Sequence, residues 1–199
     1  MKVFVSIFFL LFFTLNAEFV NTALIKKVEL QYGKFAKNRF LALNSLLEKN
    51  KNADIRTKLE KVNDFFNGVK YSSDKKIYGK SDYWANPYEF LARDRGDCED
   101  YVIAKYLALE YLGVPTSKMF LSYVRVKSSN EAHMVLTYFE TPKSVPLVLD
   151  NIRKNIQPAS RRVDLIPVFN FNPNILKGKK TAAHRKWDTL IKGYKEQKI

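Results

Sequence analysis

The sequence predicts an α+β domain, with helices in the first half of the chain and antiparallel strands in the second. Apolar residues recur at helical spacing up to about residue 112, whereas shorter runs rich in β-branched and aromatic residues follow, separated by turns. Helices and strands that are segregated along a chain are typical of α+β architecture. With 199 residues, the chain is most simply one domain with a full hydrophobic core.

The first residues have the composition of an export signal. Lys2 precedes an almost wholly apolar run, 3–15, and Ala17 offers a small residue for cleavage, which predicts a signal peptide over 1–17. A cut as late as Ala23 is an alternative, because Leu15 occupies a position where a small residue is preferred. The apolar run is short for a bilayer, so we expect export without a stable membrane span.

The helical half is predicted from apolar stripes that begin at a capping residue or a proline. The predicted helices are 24–47, 54–68, 87–91 and 98–112. Gly33 weakens the first of them, and Gly113 with Pro115 ends the last. The polar stretch 69–82 is predicted to be loop.

The strand half contains short apolar runs bounded by turn residues. The predicted strands are 119–127, 132–140 and 145–150, and residues 161–171 are expected to add an edge strand whose pairing Pro167 limits. The basic tail, 173–199, is expected to form a final helix over 181–198 that contributes little to the core.

The charge is strongly positive but dispersed. The chain has a formal net charge of +14, and its lysine and arginine clusters, among them Arg161-Arg162, fall in different segments. We see no nucleic-acid-binding motif, so nucleic acid is not an expected partner. A solvated basic surface is the preferred interpretation, and attraction of an acidic substrate is the alternative.

Cys98 is the only cysteine, and it stands at the predicted start of a helix. A thiol in the first helical turn faces unpaired N–H groups and the positive end of the helix dipole, which favour the reactive thiolate. A lone cysteine is more often a small buried hydrophobe, but the polar neighbours Asp97 and Glu99 argue against an inert core position here.

His133 and Asp150 supply the other groups that a cysteine nucleophile needs. They lie in and at the end of two predicted neighbouring strands. Imidazole is the usual general base near neutral pH, and a carboxylate fixes its tautomer. The three residues therefore predict nucleophilic catalysis, whereas the alternative is a core histidine with a strand-end aspartate that bonds a turn.

Three carboxylates crowd the thiol. Asp97, Glu99 and Asp100 should raise its pKa, because like charges oppose ionisation. They have three explanations: capping of the helix, pairing with Arg93 or Arg95, or coordination of a hard cation such as calcium.

Tyr83 and Trp84, just before the nucleophile helix, have two interpretations. They could form the wall of a substrate cleft or donate to an oxyanion, or they could pack as core aromatics. His184, in the basic tail, is expected to be exposed.

Several of these segments together resemble the bacterial transglutaminase-like cysteine proteinases. The matching motifs, in order, are 82–91, 96–101, 132–136, 146–151 and 164–168. The resemblance implies a papain-like, transglutaminase-type core over 24–172, in which N-terminal helices precede a nucleophile helix packed on an antiparallel sheet. It also implies that Cys98 is the nucleophile, His133 the base and Asp150 the orienting acid.

The resemblance has further implications for biology. Members of the family cut a large surface adhesin near its N-terminus and so release cells from a biofilm. They require calcium, for which Asp97, Glu99 and Asp100 are the candidate ligands here, and an inner-membrane receptor for cyclic di-GMP sequesters them. For this chain it therefore implies a periplasmic, calcium-dependent protease. A transglutaminase or deamidase acting on protein glutamine, and a non-catalytic binding module, are the competing hypotheses.

Overall fold

The computed structural model describes residues 18–175 and 180–199, and the predicted signal peptide lies outside them. The described helices are α1 (Thr22–Asn50), α2 (Ile55–Phe66), α3 (Asp74–Tyr78), α4 (Pro87–Arg93), α5 (Cys98–Tyr111) and α6 (Ala182–Lys195). The described strands are β1 (Lys70–Tyr71), β2 (Arg95–Gly96), β3 (Met119–Val126), β4 (Ala132–Tyr138), β5 (Leu147–Leu149), β6 (Gln157–Pro158) and β7 (Leu165–Phe171). None of the described helices is long and apolar enough to cross a membrane.

Helix α1 confirms the predicted long N-terminal helix, and it is kinked at Gly33. This residue has φ of 80°, in the left-handed region that glycine adopts without a steric penalty. On the C-terminal side of the kink, Phe40, Leu43 and Leu47 are fully buried and form the stripe that packs on the domain. The helix begins at Asn21, whose side chain accepts a hydrogen bond from the backbone of Leu24.

The prediction of a loop over 69–82 is wrong in part. Residues Lys70–Tyr71 pair in parallel with Arg95–Gly96, and Asp74–Tyr78 form helix α3. The helix is only five residues long, too short to show helical periodicity in the sequence. Its end is marked by Gly79, which adopts a left-handed conformation.

The main sheet has five strands in the order β6-β5-β4-β3-β7 within the described chain, with every neighbouring pair antiparallel. The three strands predicted between 119 and 150 are confirmed as β3, β4 and β5. The edge strand is confirmed as β7. Its register with β3 shifts between Tyr123 and Val124, where Val124 lies opposite Pro167, because proline has no N–H to donate to the ladder.

Helix α5 lies at the centre of the core. It packs against α2, α4 and β4, and residues 100–109 are all buried. A helix that is apolar on every side belongs in an interior rather than at a surface. The N-terminus of α5, where Cys98 stands, is therefore held rigidly against the sheet.

Helix α6 corrects the expectation that the basic tail contributes little to the core. Trp187 and Leu190 are buried, and the Trp187 ring packs edge-on against Tyr106 of α5 with centroids 5.3 Å apart. Tyr194 stacks on Tyr88 at 4.9 Å. Trp187, Leu190 and Tyr194 form one apolar stripe at helical spacing on α6, which the surrounding lysines obscure in the sequence.

Candidate active site

Cys98 is the first residue of α5, and a close backbone approach places it there. Gly96 precedes it, and a Cβ at that position would lie 2.5 Å from both Asp100 Oδ2 and a ring carbon of Phe90. The turn into α5 therefore needs glycine. Cys98 is partly buried and unpaired, and it lines two cavities.

His133 and Asp150 meet across neighbouring strands. His133 lies near the start of β4, and Asp150 follows β5, which pairs with β4. His133 Nε2 is 2.8 Å from Asp150 Oδ1, and both residues are buried. Because an ionised carboxylate only accepts, Nε2 carries the proton and Nδ1 is left unprotonated.

Cys98 and His133 share two cavities. The central cavity, of about 200 Å³, is lined by Cys98, Glu99, His133, Tyr123 and Trp84, together with Asp82, Ala132, Met134 and Lys186. The outer cavity, of about 400 Å³, is lined by Cys98 and His133 with Tyr71, Val126, Glu131, Ala132, Asn151 and Ile152. The fold thus brings the thiol, the imidazole and, through it, the carboxylate to one cleft.

Asp150 is held at both carboxylate oxygens. Arg162 Nη2 donates to Oδ2 at 2.7 Å, and the backbone N–H of Ile152 donates to Oδ1 at 3.0 Å. Burial raises the pKa of Asp150, but the bonds from His133, Ile152 and Arg162 outweigh it and lower the pKa to about 2. The carboxylate is therefore charged at every pH at which the protein would work.

Sequence reasoning missed Arg162, which it grouped with Arg161 in the solvated basic surface. Arg161 is exposed, whereas Arg162 is 3% exposed and bonds both Asp150 and Asp164. The sequence signal is weak, because two adjacent arginines outside a regular strand do not reveal which one points inward.

A second buried network supports the backbone of Asp150. The amine of Lys105, on α5, donates to Asn67 Oδ1 at 2.8 Å, and Asn67 Nδ2 donates to the carbonyl of Asp150 at 2.8 Å. Burial lowers the pKa of Lys105 to about 7. Sequence reasoning also missed this residue, although a lysine within a wholly apolar helical run is a visible signal for a buried polar contact.

Acidic side chains converge beside Cys98 in two overlapping sets. The carboxylate oxygens of Asp74, Asp82 and Glu99 lie within 4.8 Å of one another, and so do those of Asp74, Asp97 and Asp100. Asp74 and Asp82 were missed from the sequence, because both lie within the stretch 69–82 that was predicted to be loop. The structure brings them together with the three predicted acids through α3 and the turn into α5.

These carboxylates are crowded and incompletely bonded. Burial and neighbouring charges raise the pKa of Asp74 to about 6, that of Asp97 to about 7, and that of Asp100 well above its usual value. Among the described residues, Asp74 Oδ1 and Asp97 Oδ1 are buried and have no hydrogen-bond partner. An all-oxygen donor set with orphaned, buried carboxylate oxygens fits a hard divalent cation.

The structure supports helix capping as an explanation for the acidic residues but not their pairing with Arg93 or Arg95. Asp100 does cap, since it accepts from the backbone N–H groups of Asp97 at 3.3 Å and Ala85 at 2.9 Å. Arg93 lies over the rings of Tyr32 and Tyr78, and Arg95 is exposed. Asp97 is the N-cap residue of α5, and Asp100 forms a capping box with it, so capping is confirmed for these two residues and does not involve Asp74, Asp82 or Glu99.

The surroundings of the Cys98 thiol oppose its ionisation. Its Sγ donates to Glu99 Oε2 at 3.1 Å. Burial, together with the charge and the hydrogen bond of Glu99, raises the pKa of Cys98 well above its ordinary value. The favourable effect of the helix N-terminus is therefore outweighed, and the thiolate requires a compensating positive charge nearby.

Tyr83 and Trp84, which precede α4, show features of both predicted roles, packing in the core and lining a cleft. Trp84 is buried, 6.5 Å from the Phe171 ring, and also lines the central cavity beside Cys98. Tyr83 is half-buried, and its hydroxyl donates to Glu89 Oε1 at 2.8 Å.

The expectation that His184 is exposed is wrong. His184 is half-buried, packs edge-on against Phe171 at 4.7 Å, and bonds Thr181 at the start of α6.

A helix-borne cysteine that shares a cleft with a histidine–aspartate pair on adjoining antiparallel strands is typical of thiol enzymes of the papain and transglutaminase type. Comparison with known families agrees. Residues 37–163 match the bacterial transglutaminase-like cysteine proteinases, and the chain belongs to this family. It is thus a cysteine protease with a transglutaminase-like fold.

Solved structures of Legionella pneumophila LapG are similar to most of the chain. One has 39% sequence identity and a TM-score of 0.75, covering 88% of this chain and 98% of that one. An EGTA-treated form has 38% identity, the same TM-score and the same coverage. A calcium-bound form has 38% identity and a TM-score of 0.73, covering 87% of this chain and 98% of that one. A comparison with curated proteins finds no significant match.

Proposed function

We propose that this protein is an exported, calcium-dependent endopeptidase of the periplasm that cleaves a large surface adhesin near its N-terminus and so controls release from a biofilm. The observation that carries the proposal is the meeting of Cys98 with the bonded pair His133–Asp150 in one open cleft. Family membership supports peptide-bond hydrolysis, and the signal-like composition of residues 1–17 supports export.

The residues perform acyl transfer in two steps. His133 Nδ1 takes the proton of Cys98, and the sulfur attacks the carbonyl carbon of the substrate to form a tetrahedral intermediate. The C–N bond then breaks, the imidazolium gives its proton to the leaving amine, and a thioester remains on Cys98. Water, deprotonated by His133, attacks the thioester and releases the new carboxyl terminus together with the free thiol.

Asp150 has an orienting role in this scheme. Its Oδ1, 2.8 Å from His133 Nε2, fixes the tautomer that leaves Nδ1 available as the base, and its charge stabilises the imidazolium. Because Arg162 occupies the other oxygen, the carboxylate has one orientation.

We propose that calcium is held by Asp74, Asp82, Asp97, Glu99 and Asp100. The similar LapG protein has been solved in a calcium-bound form. In this chain the five carboxylates converge in two overlapping sets, and Asp74 and Asp97 each have a buried oxygen with no hydrogen-bond partner among the described residues. A bound divalent cation would offset the negative charge that now raises the pKa of Cys98. The charged carboxylates oppose ionisation of the Cys98 thiol, and neutralisation of their charge would remove this opposition.

Cleavage of a protein substrate tests the proposal directly. The predicted mature protein, residues 18–199, is incubated with the N-terminal region of a large repeat adhesin from the same genome, with calcium or with EGTA, and products are identified by mass spectrometry. We expect one cut, present only with calcium and absent for Cys98→Ala. Equal cleavage by Cys98→Ala, or no cleavage by the wild type, would remove the proposal.

The same products separate the competing activities. A transglutaminase or deamidase forms the same thioester on a glutamine side chain and passes it to an amine or to water. Mass spectrometry would then show a crosslink, or a gain of about one dalton, on an intact chain. A binding module would leave the adhesin unchanged, with a thiol that does not react with iodoacetamide even in calcium.

Sequestration by an inner-membrane receptor that senses cyclic di-GMP is also part of the proposal. The support is membership of the family. Size-exclusion chromatography with the periplasmic domain of such a receptor from the same genome should show a complex that blocks cleavage. Separate elution of the two proteins at micromolar concentration would refute it.

A further inference from the structure

A third cavity extends the cleft beneath helix α6. This α6 cavity, of about 430 Å³, lies between residues 80–84, Glu89 of α4 and the inner side of α6. Three of its residues, Asp82, Trp84 and Lys186, also line the central cavity beside Cys98. The central cavity in turn shares Cys98, Ala132 and His133 with the outer cavity. The three cavities are therefore consecutive, and the thiol lies between the outer cavity and the α6 cavity.

Such a succession suits an extended peptide. A strand advances about 3.3 Å per residue, so a segment that crosses the thiol places the residues on either side of the cut bond in different cavities. Pockets of about 300–1,000 Å³ are the usual size for ligand sites, and two of these cavities reach that range.

The α6 cavity has an aromatic wall and a basic rim. Tyr83 and Trp84 form the wall. The rim carries four ammonium groups, from Lys80, Lys186, Lys192 and Lys198, and three carboxylates, from Asp82, Glu89 and Glu196.

Ion pairs within the cavity engage two of the three carboxylates and two of the four lysines, so among the described residues Lys80, Lys192 and Glu196 have no ion pair and the rim keeps one net positive charge. Asp82 pairs with Lys186. Glu89 accepts from Tyr83 and Asn86 and has Lys198 at 3.3 Å. Lys80 lies over the Tyr83 ring, 4.4 Å from its centroid, where a cation remains available for a carboxylate. Lys192 is exposed on α6 and lines the same cavity.

We propose that the α6 cavity is a substrate subsite that binds an acidic side chain next to an apolar one, on one side of the cleaved bond. The inference rests on the proposed proteolytic function. The ammonium groups of Lys192 and Lys80 attract the carboxylate, and Trp84 and Tyr83 pack against the apolar neighbour. The basic C-terminal helix thereby acts as a specificity element as well as a part of the core.

Cleavage profiling of a peptide library tests the subsite without a known substrate. Wild-type protein in calcium is incubated with peptides derived from a whole proteome, and the cut sites are read by mass spectrometry. We expect Asp and Glu to be enriched at one fixed position, beyond the residues that flank the cut. Lys192→Glu should abolish this enrichment or replace it with Lys and Arg, while peptides without an acidic residue are cut at rates within about twofold of wild type.

Lys195→Glu is the matched control. This substitution reverses a lysine charge on the same helix, but Lys195 lies outside the α6 cavity. The variant should therefore retain the acidic preference. Lys80→Glu, on the opposite wall, should reproduce the effect of Lys192→Glu. Cleavage by the wild type without acidic enrichment, or an unchanged profile for Lys192→Glu, overturns the subsite alone. Absence of any cleavage overturns the proposed function together with it.

Discussion

Arg162 and Asp150 form an ion pair inside the protein, with Nη2 2.7 Å from Oδ2 and both side chains almost wholly inaccessible to solvent. The pair leaves Oδ1 free to meet His133. Each charge of such a pair stabilises the other, because either charge alone in the interior would be strongly unfavourable. The orientation of the imidazole therefore depends on a residue that lies outside the predicted Cys98, His133 and Asp150 set.

Replacement of Arg162 by glutamine should damage both stability and activity. It leaves the Asp150 carboxylate buried without its counter-charge, which typically costs about 3–5 kcal/mol in the free energy of unfolding. The carboxylate would also turn away from His133 or gain a proton, and we expect kcat to fall roughly tenfold to a hundredfold, the size usual for supporting hydrogen bonds. Urea denaturation and kinetics on the folded fraction measure the two effects.

Two variants make the role of Arg162 specific. Arg161→Gln removes the same charge from an exposed neighbour and should change stability by less than about 0.5 kcal/mol. Arg162→Lys keeps the charge but loses the planar fork, so it should recover part of kcat. Equal effects of Arg161→Gln and Arg162→Gln on kcat would show that Arg162 does not position the carboxylate.

The acidic cluster should make the metal-free protein less stable as the pH rises. Asp74 and Asp97 have folded pKa values of about 6 and about 7, raised by burial and by neighbouring charge from an ordinary value of 3.8. The folded state therefore holds more protons than the unfolded state between about pH 4 and pH 7. The contribution of these groups to stability is present in full below pH 4 and is lost as the pH passes through 6 and 7.

Thermal unfolding in EDTA across that pH range checks the sign. The midpoint should fall from about pH 5 to pH 7.5. Saturating calcium should raise it most at the upper end, because protons compete with the metal for the same carboxylates. Asp97→Asn should flatten the fall in EDTA and weaken the calcium effect. A midpoint in EDTA that rises steadily over this range, with no response to calcium, would contradict both the raised pKa values and the metal site.

Sequence reasoning located the parts of the site that have strong local signals. Cys98 follows a capping aspartate and precedes an apolar helical run, and His133 and Asp150 lie in or beside runs with strand composition. Each of these positions is dictated by neighbours within a few residues. The structure places Cys98 and His133 at one cleft, with Asp150 buried behind His133, because β4 and β5 are paired and α5 packs on β4.

The residues that were missed depend on contacts made over long distances in the chain. Arg162 meets Asp150 across 12 positions, and Lys105 reaches Asn67 across 38. Asp74 joins the acidic cluster because the short pairing of β1 with β2 carries α3 to the start of α5. Charged side chains are expected at the surface by default, so their burial becomes visible only when the partner is known.

Reactivity of Cys98 should depend on its carboxylate neighbour. Because burial and Glu99 raise the pKa of the thiol, we expect slow alkylation by iodoacetamide at pH 7 in EDTA. Calcium should accelerate it severalfold, and Glu99→Gln should do so without the metal. As the chain contains one cysteine, the label reports this thiol alone. Rapid alkylation of the wild type in EDTA, unchanged by calcium, would show that the carboxylates do not suppress the thiolate.

Truncation of Trp187 tests whether α6 is an integral part of the domain. This side chain is buried and packs on Tyr106 of α5, so Trp187→Ala leaves a large cavity beside that helix. Buried Trp→Ala changes typically cost about 3–5 kcal/mol. We expect a loss of about 3 kcal/mol in the free energy of unfolding from urea titration, since α6 lies at the edge of the core. Lys195→Ala, on the exposed face of the same helix, should change it by less than about 0.5 kcal/mol. If the tail only rested on the surface, the two variants would unfold at the same urea concentration.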